Sequence, residues 1–249
     1  MNVAGARILV VGGVHRLGRA LALDLAAHGA AVCVSSRAAG EEADKQVAAL
    51  RAAGAAVAAA VAGDARWPTA AEGLVADAAG ALGGLDGLVY AASGPFVPTP
   101  PERLDETSWD ASLDTIAKGF FFAAVAARRR FVTGEAAGGV IVAITDYLGL
   151  QPGTAFAAHG AAKAAQIHLV KELARAWTAQ GVRVCGVAPG PVDLEDDEHR
   201  AATLRAAARV ASERLVSPAD IGAAVRFCFE TDGVTGVNVV VDNGSLVMS

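Results

Sequence analysis

Cysteine is scarce in this chain, three in 249 residues, and Cys33, Cys185 and Cys228 sit apart in apolar runs without metal-ligand spacing. That excludes a disulfide-stapled scaffold and a zinc site, so no metal is expected and the thiols read as buried in a reducing compartment. Positive charge is not in excess either: 21 Lys and Arg against 26 Asp and Glu leave a net charge of −5. No basic cluster marks a nucleic-acid surface, and Arg128-Arg129-Arg130 reads as the solvated end of a helix. There is no long apolar segment and no charged leader before the first apolar run, so a cytoplasmic protein without membrane contact is expected. Linkers and internal repeats are also missing. With 53% apolar residues the chain has ample material for one core, and a single domain over 1–249 is expected.

What is present is a regular alternation. Short apolar runs near 8–11, 32–34, 56–61, 88–91, 140–144, 182–187 and 237–241 are separated by longer helical stretches. Alternation of this kind predicts an α/β fold with a doubly wound parallel sheet. Runs that are apolar at every position, such as Leu88-Val89-Tyr90-Ala91-Ala92, suit strands covered by helices on both faces. The rhythm breaks over 190–217, which opens within Pro189-Gly190-Pro191 and carries Asp193, Glu195, Asp196, Asp197 and Glu198. Two readings of this segment stand: a substrate lid, or a solvated surface helix with an acidic first turn.

After the first apolar run, Gly12-Gly13-Val14-His15-Arg16-Leu17-Gly18 opens a helix. A glycine turn in that place presents backbone N–H groups to a pyrophosphate, and His15 lies where a phosphate would come close. The second run ends Ser35-Ser36-Arg37. An acidic residue there would hold a ribose 2′-hydroxyl. Arg37 instead offers planar donors suited to a 2′-phosphate, so NADP(H) is expected over NAD(H).

The fifth run, Val140-Ile141-Val142-Ala143-Ile144, delivers Thr145-Asp146 to a strand end, the place where open α/β sheets bind ligands. Thirteen residues on comes His159, and Lys163 follows at the helical spacing that puts both on one face. Only two tyrosines exist, Tyr90 and Tyr147, and neither stands four residues before a lysine. Both read as packing residues or pocket walls.

This ordered set resembles the short-chain dehydrogenase/reductase family, whose strand-end serine, tyrosine and lysine read here Asp146, His159 and Lys163. The resemblance spans nearly the whole chain and implies a single-domain Rossmann fold with seven parallel strands. Local motifs are nearest the pteridine reductase branch: Arg16 in place of the middle glycine, an aspartate at 146, and Phe96 ahead of Pro98-Thr99-Pro100. It implies that Gly12, His15, Arg16, Leu17, Gly18, Ser36, Arg37, Asp64, Ala65, Ala91, Ala92, Ser93, Lys163, Pro189, Gly190 and Val192 contact NADP(H). Asp64 matches the adenine contact, and Pro189, Gly190 and Val192 match the loop at the nicotinamide amide. Phe96, which would stack on a planar ring, and Tyr147 are the implied substrate contacts.

The implied reaction is NADPH-dependent reduction of a C=O or C=N bond in a small, cyclic or heteroaromatic, pterin-like substrate. A histidine, with an ordinary pKa near 6.5, needs less tuning than a tyrosine to give a proton. Asp146 would stabilise the charged ring while Lys163 opposes it and binds the nicotinamide ribose. Ile116 stands where the family has an asparagine that organises a proton-relaying water. Two further readings remain open: an NADP(H)-binding sensor or interaction partner that transfers no hydride, and a fold recruited for elimination or isomerisation. Family members pair helices like the one through 119–125 into oligomers, so a homotetramer is expected, with a dimer next.

Overall fold

The computed structural model describes residues 1–94, 96–131, 138–194 and 214–248. Each of the seven apolar runs forms a strand, with ends moved by a residue or two, within the usual spread of strand boundaries. They are β1 (Arg7–Val11), β2 (Ala31–Ser36), β3 (Ala58–Ala62), β4 (Gly87–Tyr90), β5 (Gly139–Ile144), β6 (Val182–Pro189) and β7 (Asn238–Val241). All pair in parallel in one sheet of order β3-β2-β1-β4-β5-β6-β7.

The described helices are α1 (Arg16–Ala27), α2 (Glu41–Ala53), α3 (Pro68–Leu82), α4 (Glu106–Leu113), α5 (Gly119–Arg130), α6 (Ala157–Trp177) and α7 (Pro218–Glu230). Strand side chains alternate between faces, which divides the core in two. Ile8, Val10, Val32 and Val34 pack with Leu21, Leu25, Leu50, Ile221 and Val225 from α1, α2 and α7. Leu9, Val11, Cys33 and Leu88 pack with Leu74, Ala78, Phe120 and Leu173 from α3, α5 and α6. Burial on both sides is why these strands have no polar alternation. The three cysteines are buried free thiols.

Chain order reverses between β1 and β4, which lie side by side, and it is beyond the carboxyl ends of such a pair that open α/β sheets leave a ligand crevice. A second device sits beside it. Between α4 and α5 the helix widens into a π turn, Asp114–Lys118, a form that recurs at functional sites. Tyr90, fully buried at the end of β4, donates from its hydroxyl to Thr115 O at 2.5 Å. Tyr90 is thus a packing residue, and it satisfies a carbonyl of the widened turn.

Among the described residues, no helix is long and apolar enough to cross a membrane. Arg128, Arg129 and Arg130 form the last turn of α5, with Arg129 paired to Glu72 at 2.9 Å. Most of the segment 190–217, including Glu195, Asp196, Asp197, Glu198 and His199, lies outside the described residues, as does Pro95.

Candidate active site

The glycine turn after β1 is built by close approach. Gly12 has φ +77°, and a Cβ there would stand 2.9 Å from Ala92 N. A Cβ on Gly18 would run into the carbonyl oxygen of Gly12. Both positions therefore need glycine, and together they seat the turn against the segment that follows β4. Arg16 adopts a left-handed φ of 49°, a conformation that glycine takes without steric cost. His15 precedes α1 without capping it, so the first-turn amides keep their donor capacity. Leu17 is half-buried, Ala91 and Ala92 are half-buried and Ser93 is exposed. This cradle fits the pyrophosphate of a dinucleotide, because a larger residue would fill it.

At the other end of the crevice, Ser36 uses its hydroxyl on Ala38 O at 2.6 Å. Ala65 is buried. Asp64 faces Arg66, whose Nε donates to Oδ1 and Oδ2 at 3.0 and 2.9 Å and whose Nη2 donates to Oδ2 at 2.6 Å. These bonds hold the Asp64 carboxyl below its usual range, and the charge of Arg37 contributes to the same shift. Arg66 was not legible as a site residue, because nothing in a single arginine after Asp64-Ala65 says that it turns back.

The strand-end and helix residues do converge. His159 Nε2 lies 3.2 Å from Asp146 Oδ2, while Asp146 Oδ1 accepts from Leu148 N at 2.8 Å. His159 Nδ1 is buried without a hydrogen-bond partner. A bare N–H in that place would cost about 1–3 kcal/mol, so the neutral ring carries its hydrogen on Nε2. Lys163, one helical turn on, is buried and donates to Ile144 O at 2.7 Å and to Gln166 Oε1 at 3.3 Å. Burial lowers its pKa to about 8, against the pull of Asp146. Gln166 shares the face of α6 with Lys163 at three-residue spacing, which is the signal that would have found it. Ile116 is fully buried within the π turn, so it offers no side-chain donor there.

Phe96 stacks on Phe156, with ring centroids 4.6 Å apart, and meets the His159 ring edge to face at 4.8 Å. One face of Phe96 is therefore already covered. A cavity of about 170 Å³ adjoins His159, lined among others by Val97, Thr99, Ser112 and Phe156. Tyr147 follows Asp146 directly, is half-buried and does not line that cavity. Its hydroxyl is pushed up by burial and by Asp146. Beyond β6, a Cβ on Gly190 would come within 2.8 Å of Asp242 Cα, which packs Pro189 and Gly190 against the turn after β7. Val192 bridges to Val216. Among the described residues no cluster could hold a metal ion.

A family model described as enoyl-(acyl carrier protein) reductase matches residues 13–245. The chain is 30% identical over 251 residues to 3beta-hydroxysteroid dehydrogenase 1 of Eggerthella lenta, covering 98% of this chain and 94% of that protein. The chain belongs to the short-chain dehydrogenase/reductase family. Another member, cis-4-hydroxycyclohexanecarboxylate dehydrogenase of Sinomonas cyclohexanicum, is 32% identical over 95% of this chain and 94% of its own. The fold of the family extends to a short chain dehydrogenase from Burkholderia cenocepacia solved in complex with NADP. It is 31% identical, with a TM-score of 0.87 over 99% of this chain and 100% of that one. The protein is thus an oxidoreductase of the short-chain type, and the single-domain sheet expected from the strand pattern is the one found.

Proposed function

We propose that the protein is an NADPH-dependent reductase of a small cyclic carbonyl or imine, working through a non-standard Asp146, His159 and Lys163 centre. The observation that carries this reading is the 3.2 Å approach of His159 Nε2 to Asp146, with Lys163 one turn further along α6. When bound, the reduced nicotinamide supplies the hydride. As the imidazolium, His159 would give its Nδ1 proton to the other atom of the reduced bond and return to the neutral ring, while Nε2–H stays on Asp146, which orients the ring. Buried Lys163 steadies the strand end and would hold the cofactor ribose, while Gly12, His15, Arg16, Leu17 and Gly18 would hold the pyrophosphate. Arg37 is the partner of a 2′-phosphate, supported by the lack of any acidic residue at the end of β2.

The pocket supports this substrate class. Phe96 and Phe156 form an aromatic wall beside His159, suited to a flat or alicyclic ring. Two relatives are named for a hydroxysteroid and a hydroxycyclohexanecarboxylate, which favours ring carbonyls. A pterin-like ring, drawn from the pteridine reductase motifs at Arg16, Asp146 and Phe96, is the narrower form of the same proposal. The protein acts in the cytoplasm, which suits three buried free thiols. Exposed Trp109 and half-buried Phe121 and Phe122 on α4 and α5 support a homotetramer, and a monomer at micromolar concentration in light scattering would contradict that.

A second reading, an NADP(H)-binding protein without turnover, is favoured by Phe96 covering His159 and by Lys163 turning to Ile144 O. Anaerobic stopped-flow loss of NADPH absorbance with a panel of cyclic ketones and pterins separates the two. Turnover by the wild type and loss of about a hundredfold in His159→Phe is expected. Equal rates in both proteins would remove His159 as the acid, and no turnover with any substrate would favour the second reading.

A further inference from the structure

We infer that Arg66 is a second determinant of cofactor choice: by clamping Asp64 it leaves Arg37 available to a 2′-phosphate. The inference rests on the NADPH reading above and concerns a residue which that reading does not use. Asp64 follows β3 and Arg37 follows β2, two strands that lie side by side in register, Ser36 against Ala62. The two side chains are close enough for the charge of Arg37 to act on the Asp64 carboxyl. An aspartate in that place has two ways to oppose a phosphate. It repels the dianion directly, and it competes for the guanidinium that should bind it.

The arrangement removes both. Arg66 engages both carboxylate oxygens through Nε and Nη2, and its own amide donates to Oδ1 at 3.1 Å. The planar guanidinium fork matches the carboxylate, which a lysine ammonium could not do. Because donor and acceptor are two residues apart, little chain entropy is lost in closing the pair. Arg37, by contrast, makes no ion pair or hydrogen bond among the described residues. With Asp64 satisfied by Arg66, Arg37 is left uncommitted at the outer end of the crevice. Asp64 and Arg66 remain partly exposed, with 24% and 33% of their side chains accessible, so the pair can be read from solution.

Binding of 2′,5′-ADP and of 5′-AMP to the full-length protein, measured by isothermal titration, tests this without any turnover. The wild type is expected to prefer 2′,5′-ADP. Arg66→Gln should weaken 2′,5′-ADP by about tenfold and leave 5′-AMP nearly unchanged, and adding Asp64→Asn should restore most of the loss. Should Arg66→Gln fail to fold, as judged by circular dichroism, Arg66→Lys keeps the charge, loses the fork and is expected to show a smaller loss in the same direction. Unaltered binding by the single variant would overturn the inference. So would a double variant as weak as Arg66→Gln, since Arg66 would then meet the phosphate itself. A wild type that does not distinguish the two nucleotides, or an Arg37→Gln variant that binds 2′,5′-ADP normally, would instead strike at the NADPH reading beneath it.

Discussion

The ammonium of Lys163 on α6 donates a 2.7 Å hydrogen bond to the main-chain oxygen of Ile144, the last residue of β5. Helix and strand end are thereby tied at the site, by a charge that burial makes costly to keep. Its pKa falls from 10.5 to about 8. Between those values the unfolded chain binds more protons than the folded one, so this group's contribution to stability rises with pH. Below about pH 8 the lysine is charged in both states and the full burial penalty is present; above about pH 10.5 it is neutral in both. The difference corresponds to about 3 kcal/mol. Lys163→Met should therefore gain on the wild type at neutral pH and lose that advantage by pH 10.5. Urea unfolding of both proteins across this range, with parallel curves, would show that Lys163 is not the group responsible.

Arg7 and Asp86 join the start of β1 to the start of β4 through bonds of 2.8 and 2.6 Å, with the Arg7 amide adding a third at 2.9 Å. Arg7 holds the Asp86 carboxyl below its usual 3.8. Stability from this pair is present above that unfolded value and lost as pH falls through the lower folded one. Asp86→Asn is expected to cost about 1–3 kcal/mol at pH 7 in chemical denaturation, with the gap to the wild type narrowing below about pH 4. A gap that is constant down to pH 2 would exclude the ionic contribution.

Gly12→Ala places a methyl group 2.9 Å from Ala92 N on a backbone with φ +77°. Strain of about 1–3 kcal/mol is expected, together with weaker NADPH binding, since the turn must back away from the β4 segment. Fluorescence titration that gives the wild-type affinity would show that this turn does not carry the cofactor.

Phe96→Ala removes a ring that stacks on Phe156 and covers the His159 edge. For a cyclic substrate the expected effect is a rise in KM of about three- to tenfold with a small change in kcat, as stacking supplies about 0.5–1.5 kcal/mol. A fall in KM or a rise in kcat would instead mark Phe96 as a cover that substrate must displace.

Strand pattern, sheet class and the meeting of Asp146 with His159 were legible in the sequence, as was the helical step from His159 to Lys163. Strands buried on both faces must be apolar throughout, and a four-residue step on a helix must share one face. The family's glycine positions were legible for a similar reason, since a backbone packed against backbone leaves no space for a Cβ. Tertiary structure alone decided where the long side chains go. That Lys163 reaches Ile144 O, that Phe156 covers Phe96 and that Tyr90 caps the π turn at Thr115 all follow from segments distant in sequence meeting in space. Local spacing fixes the face a residue occupies; the atom it finally touches is chosen by whichever remote group offers the buried donor or acceptor its partner.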